Sequence, residues 1–272
     1  MAETPPDPSP PDTIVLLHGF WVTPRSWEDW KAHYEAKGYT VLVPGYPGFE
    51  VEVEALNADP TAVAELTVPA IVAHFEETLA GLDRQPIIMG HSAGGVFTQL
   101  LMARGHGAAG VALCSAPTEG VRVVPPSQVR STFPVLKNPA NRRKAVHYDF
   151  EHWNYAFTNT FPTDEARRLY ERYAIPVSGR VLFESVLANF KPGHQDTWVD
   201  YDNPDRAPLL FVSATDDHIM PPKVQRSNAK KYADSLVTEV VEYPGPHLLT
   251  AAPGWEGVAD TVLDWAVSHA KG

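Results

Sequence analysis

A single cysteine, Cys114, occurs in 272 residues, so no internal disulfide can form and a reducing compartment is favoured. Its thiol has no assignable partner base and is expected to be a small buried hydrophobe at a strand end. Long apolar runs are also missing, since none approaches the roughly 18 residues that span a bilayer. The opening MAETPPDPSPPD lacks both the basic region and the apolar core of a secretory leader, which gives a cytoplasmic location as the expectation. Positive charge is scarce: 22 Lys+Arg stand against 33 Asp+Glu, a net charge of -11. Such a chain gains nothing from phosphate backbones, so no nucleic-acid partner is expected. The compact basic run Arg142-Arg143-Lys144 reads as a solvated face. No H-E-x-x-H and no paired Cys/His spacing is present, so no metal is expected. No G-x-G-x-x-G or P-loop is present either, so no nucleotide cofactor is expected.

What is present is the rhythm of an α/β protein. Residues 1–12 hold five prolines and three acids and read as a disordered or extended tail. Thr13–Leu17 is a short apolar run of the kind buried on both faces of a parallel sheet. Ser26–Lys37 has helical spacing, with Ser26 as N-cap and Gly38 as the stop. Strands are expected at Thr40–Val43, Pro86–Met89, Gly110–Leu113, Pro208–Val212 and Leu236–Val241, with helices at Val68–Leu82, Ala93–Arg104, Pro222–Tyr232 and Gly254–Ala270. Alternating strands and helices imply about six mostly parallel strands joined by right-handed crossovers. The stretch Glu119–Arg206 breaks this rhythm. It carries 12 Lys+Arg against 11 Asp+Glu and is therefore nearly neutral, whereas the remainder is strongly acidic. The expected organisation is a core of residues 13–118 and 207–272 with a largely helical cap inserted at 119–206.

Two motifs carry chemistry. Ile87-Ile88-Met89-Gly90-His91-Ser92-Ala93-Gly94-Gly95 runs strand, G-x-S-x-G, helix, the arrangement of a nucleophile elbow. The glycines let the chain turn sharply where a Cβ would collide with a neighbour, and Ser92 is lifted clear of the sheet. His91 is expected to point away from the serine and pack. Leu16-Leu17-His18-Gly19-Phe20-Trp21 follows the first strand. Developing negative charge on a reacting oxygen needs two backbone N–H donors. Ala93, directly after the serine, and Phe20 are the expected pair, with His18 either structuring the loop by bonding backbone groups or touching substrate.

Together, H-G-F-W after one strand and G-H-S-A-G-G after a later one resemble the α/β-hydrolase superfamily, and within it the capped serine esterase and haloperoxidase-like branch. The resemblance covers residues 13–118 and 207–270. It implies the α/β-hydrolase fold and a chain order of serine, acid, histidine. The family usually begins with an additional antiparallel strand pair, for which this chain lacks room. Asp217, in Asp216-Asp217-His218-Ile219-Met220-Pro221, matches the family pattern of an aspartate, two residues, an apolar residue and a proline. Asp216 is one place early. His247 lies in the Pro/Gly loop after the last expected strand, where a base can reach over the sheet edge. The implied catalytic set is Ser92, Asp217 and His247, and the other histidines are assigned to packing, surface or cap positions.

The implied reaction is hydrolysis of a carboxylic ester or lactone through an acyl-enzyme, with no cofactor. Carbon–carbon bond hydrolases, thioesterases and small-ligand receptors built on the same site are the alternatives. The expected partner is a small-molecule substrate, with neither nucleic acid nor membrane and with a homodimer left open. His152–Phe161 packs four aromatics and two asparagines into ten residues. Trp21, Tyr155, Phe157 and Asn159 are expected to line an apolar pocket above Ser92. The alternative is that these aromatics glue the cap to the core.

Overall fold

The computed structural model describes residues 10–234 and 236–271. Most of the expected N-terminal tail, residues 1–9, lies outside the described residues. Six strands form one sheet: β1 (Thr13–Leu17), β2 (Thr40–Leu42), β3 (Ile87–His91), β4 (Ala109–Leu113), β7 (Leu209–Ala214) and β8 (Thr238–Tyr243). Their order is β2-β1-β3-β4-β7-β8, and every pairing is parallel. A second, two-stranded sheet pairs β5 (Ala145–Val146) with β6 (Val177–Ser178).

The strands are nearly continuous apolar runs because both faces are covered. Side chains alternate with period two. Val15, Leu17, Ile88, Ala112 and Phe211 face one cluster, beneath the helices Val68–Ala80 and Ala93–Ala103. Ile14, Leu16, Met89, Val111 and Val212 face the other, beneath the helices Glu28–Ala36 and Trp255–His269. Each fully buried Leu, Ile or Val there contributes about 1.5–3 kcal/mol relative to an exposed one.

Topology selects where the site lies. The chain passes from β1 outward to β2 and then returns across β1 to β3. The direction of winding reverses between β1 and β3, and a crevice opens at the carboxyl ends of strands at such a point. The motif loops after Leu17 and after His91 both emerge there.

Local details depart from the sequence expectations at the first helix and add to them in two other places. The first helix is capped by Thr23, whose hydroxyl accepts from the Arg25 N–H, and it opens as a 3₁₀ turn, Pro24–Trp27. Proline at the first position favours that start over Ser26. Ser26 instead donates its hydroxyl to the Thr23 carbonyl. Two short helices, Val53–Ala58 and Thr61–Glu65, occupy a stretch with no readable periodicity. Between β4 and β7 the chain forms four α-helices, Pro126–Leu136, Phe150–Phe157, Thr163–Tyr173 and Gly179–Leu187. Among the described residues no helix is long and apolar enough to cross a membrane.

Candidate active site

Ser92 sits at the turn between β3 and the helix Ala93–Ala103 with φ 58 and ψ -116, a left-handed conformation unusual for a residue with a side chain. The surrounding structure enforces it. The Ser92 N–H donates to the Leu113 carbonyl at 2.9 Å, and its own carbonyl accepts from Gly95 and Ala116, each at 3.0 Å. Gly94 is packed so tightly that a Cβ there would stand 2.1 Å from the Leu17 carbonyl oxygen. A Cβ on Gly19 would meet the Ser92 Cβ at 2.8 Å, so glycine is what lets the β1 loop lie directly against the serine.

That loop is rigid. His18 Nδ1 lies 2.9 Å from the Gly19 carbonyl, and the Tyr46 hydroxyl donates to the His18 carbonyl at 2.7 Å. Burial lowers the His18 pKa to about 4, so the ring is neutral and carries its proton on Nδ1. Trp21 holds φ 62 and stacks on Tyr148 at 4.5 Å. Among the described residues, no intramolecular hydrogen bond takes the backbone N–H of Phe20 or of Ala93.

Asp217 and His247 meet at the ends of β7 and β8. Asp217 Oδ2 is 2.7 Å from His247 Nδ1, and both side chains are fully buried. Asp217 Oδ1 accepts from the Ile219 and Met220 N–H groups, each at 2.7 Å, so both carboxylate oxygens are fixed. In a neutral ring the Nδ1 proton would face that carboxylate, which leaves Nε2 as the acceptor. That atom is buried and has no hydrogen-bond partner. An orphaned buried nitrogen is costly and needs an explanation.

Two flanking residues hold His247. His91 Nε2 lies 2.7 Å from the His247 carbonyl oxygen, and the two rings are 4.8 Å apart. Burial, reinforced by His247, lowers the His91 pKa to about 3, so it serves as a neutral donor. Phe157 packs edge-on against the His247 ring at 5.1 Å, and its carbonyl accepts the Leu248 N–H at 2.9 Å. His218 is turned elsewhere, with Nδ1 2.8 Å from the Tyr155 carbonyl. Asp216 is exposed and ties the two loops together, exchanging bonds with Gly245.

The donor atoms of His91, Cys114 and His247 lie within 4.8 Å of one another. His91 Nε2 faces a carbonyl, His247 Nδ1 faces Asp217, and burial with the nearby Asp217 charge pushes the Cys114 thiol up, keeping it protonated. The set is a packed hydrogen-bonding cluster, not a vacant ligand shell.

Ser92 opens onto a cavity of about 630 Å³. Phe20, Trp21, Val96, Phe97, Leu182 and Met220 are among its walls. Trp21 thus stands where the sequence placed it. Tyr155, Phe157 and Asn159 do not line this cavity. Phe157 is fully buried between Trp153, Trp21 and His247. Tyr155 is sandwiched by His218 and Arg130, and Asn159 Nδ2 donates to the Asp216 carbonyl at 3.0 Å. The helix Phe150–Phe157 turns its apolar face to the His247 loop, not to the cavity. Sequence reasoning passed over the real outer wall, the helix Pro126–Leu136, whose mixed composition and internal Pro134 hide its apolar stripe.

The fold is widely shared among solved structures. A pyrethroid hydrolase from Sphingobium faniae JZ-2 is 22% identical, with 93% of this chain and 96% of that chain covered and a TM-score of 0.67. An extracellular α/β-hydrolase from a Paenibacillus species is 19% identical, with 96% and 100% covered and a TM-score of 0.67. A monoacylglycerol lipase from Paleococcus ferrophilus is 18% identical, with 96% of each chain covered and a TM-score of 0.67. No curated protein sequence matches the chain. The sequence model of the α/β hydrolase family matches residues 14–260, nearly the whole sheet and every motif described above. The chain belongs to the α/β hydrolase family.

Proposed function

We propose that this protein is a serine hydrolase that cleaves carboxylic esters or lactones of small apolar or aromatic molecules, with Ser92 as nucleophile, His247 as base and Asp217 as the orienting acid. The observation that carries this is the orphaned, buried Nε2 of a histidine whose other nitrogen is locked onto a buried carboxylate. A histidine held in that tautomer is built to accept a proton at Nε2. Names among the structural neighbours, a monoacylglycerol lipase and a polyneuridine aldehyde esterase, agree with ester cleavage.

The chemistry follows from the arrangement. Ser92 Oγ attacks the substrate carbonyl carbon while its proton passes to His247 Nε2. The carbonyl oxygen becomes an oxyanion and takes hydrogen bonds from the unengaged N–H groups of Phe20 and Ala93. Each such donor is worth roughly 10²–10³ in kcat. The tetrahedral intermediate collapses, the C–O bond breaks, and the leaving alkoxide takes the proton from Nε2. Water then attacks the acyl-enzyme by the same route in reverse and frees the carboxylic acid. The Asp217 carboxylate, fixed by its two backbone donors, holds the imidazole in place and stabilises the transient imidazolium.

On this reading residues 13–118 and 207–272 form the catalytic core and 119–206 a cap that roofs the cavity with Val123, Leu136, Leu182 and Phe190. A cavity of about 630 Å³ sits in the range that encloses a drug-sized molecule. The test is a panel of p-nitrophenyl esters of graded chain length. Medium-chain and aryl esters should outpace acetate, and Ser92→Ala should lower kcat by about 10⁶. Undiminished turnover by the Ser92→Ala variant would overturn the assignment.

A further inference from the structure

The cavity has an unusual charge balance. The chain carries 33 Asp+Glu against 22 Lys+Arg, yet no acidic residue lines the cavity, whereas Arg122 and Lys137 both do. Both are exposed and so stand at the mouth, whereas Ser92 is buried at the floor. Among the described residues neither side chain has a hydrogen-bond or ion-pair partner. Several other exposed cations are likewise unpaired, Arg143, Lys144, Arg168, Lys191, Lys223 and Lys230 among them, but of the charged residues described only Arg122 and Lys137 line the cavity.

Arg122 is also presented on a fixed loop. Asn189, itself a cavity residue, accepts the Gly120 N–H at 2.6 Å and donates to the Val121 carbonyl at 3.1 Å. Lys137 ends the helix Pro126–Leu136. Around these two cations the mouth is apolar. Val124, Val129, Phe133, Val186 and Phe190 line it, and they are five of the eight large hydrophobic side chains left exposed among the described residues. A greasy channel with a reactive floor and a cationic, acid-free rim is complementary to one kind of molecule.

Resting on the serine-hydrolase reading, we propose that the substrate is an amphiphilic ester whose apolar body fills the cavity and whose far end bears an anionic group, held at the mouth by Arg122 and Lys137. A protein of net charge -11 repels anions at a distance. Two unpaired cations on a cavity whose walls carry no acid reverse that field locally and orient the molecule with its ester toward Ser92. The anionic group contributes to binding, while the chemistry at the floor is unchanged.

The experiment compares two matched substrates below their aggregation limit: the p-nitrophenyl monoester of octanedioic acid, with a free terminal carboxylate, and its terminal carboxamide. At low salt the carboxylate should show the higher kcat/KM by about fivefold, expressed in KM, as expected for partly exposed ion pairs. The ratio should fall toward one in the Arg122→Gln/Lys137→Gln variant, and in the wild type at about 0.5 M NaCl, where exposed pairs are screened. Hydrolysis of both esters without preference, or a preference unchanged in the double variant, would overturn this inference and leave the serine-hydrolase reading standing. Adsorption to vesicles of anionic phospholipid that depends on the two cations, with no preference between the esters, would assign them to a surface and overturn it too. Failure to hydrolyse any ester would instead sink the serine-hydrolase reading. Calorimetry with octanedioic monoamide against the diamide would then decide the anion site, and equal binding of the two would refute it.

Discussion

Replacing Asp217 by Asn preserves volume and shape, so its effect isolates one proton. In the wild type Oδ1 accepts two backbone N–H groups and Oδ2 accepts His247 Nδ1–H. An amide has only one acceptor oxygen. Placed toward His247, that oxygen would leave its NH₂ facing the Ile219 and Met220 donors, which costs about two hydrogen bonds in a buried site. The amide therefore turns its NH₂ toward His247, which must then accept at Nδ1 and carry its proton on Nε2. In that tautomer it cannot take the Ser92 proton. The expected loss is roughly 10⁴ in kcat, about 5.4 kcal/mol of transition-state stabilisation. Asp216→Asn is the control, since Asp216 is exposed and bonds only to loop groups, so its loss should stay within about tenfold. The assay is kcat/KM on p-nitrophenyl butyrate, with thermal melts to confirm that both variants fold. Equal losses, or a Asp217→Asn enzyme that keeps a tenth of its activity, would refute the reasoning.

Two further outcomes follow from the packing around His247. Phe157→Ala should destabilise the protein by about 3–5 kcal/mol in denaturant melts, because the ring is buried against Trp153, Trp21 and His247, while chain-length preference stays as it was. An altered preference with intact stability would return Phe157 to the cavity wall. Stability should also fall in acid. His91 and His18 are held near about 3 and about 4, whereas the unfolded chain titrates near about 6.5, so the unfolded state binds more protons between those values. Stability is then complete above about pH 6.5 and declines toward pH 4 with a slope of up to about 2.7 kcal/mol per unit. A flat profile over that window, measured by urea unfolding, would show that these rings are not buried neutral.

The sheet and the candidate catalytic set were legible because each is encoded locally. A buried parallel strand is a short apolar run, and Gly90, Gly94 and Gly19 mark where backbone must pass against backbone. His247 was legible from chain order and from the Pro/Gly loop that carries it. The cavity wall was not, because lining depends on which neighbour a helix faces. The apolar stripe containing Trp153 and Phe157 is visible in sequence, but only the fold shows that it meets Trp21 and the His247 loop. Likewise the sequence places the cap of the first helix at Ser26, whereas Pro24 at the first position starts it earlier, on Thr23. Arg122 and Lys137 lie far apart in any local pattern, and the cavity alone brings them to one rim.

On the proposed reading Ser92 is an activated nucleophile. The most direct test of that reading is reaction with a fluorophosphonate followed by intact-mass measurement and peptide mapping. One adduct per chain, located on Ser92, lost in Ser92→Ala and slowed by several orders of magnitude in His247→Ala, is the predicted result. An adduct on another residue, or undiminished labelling of either variant, would contradict it.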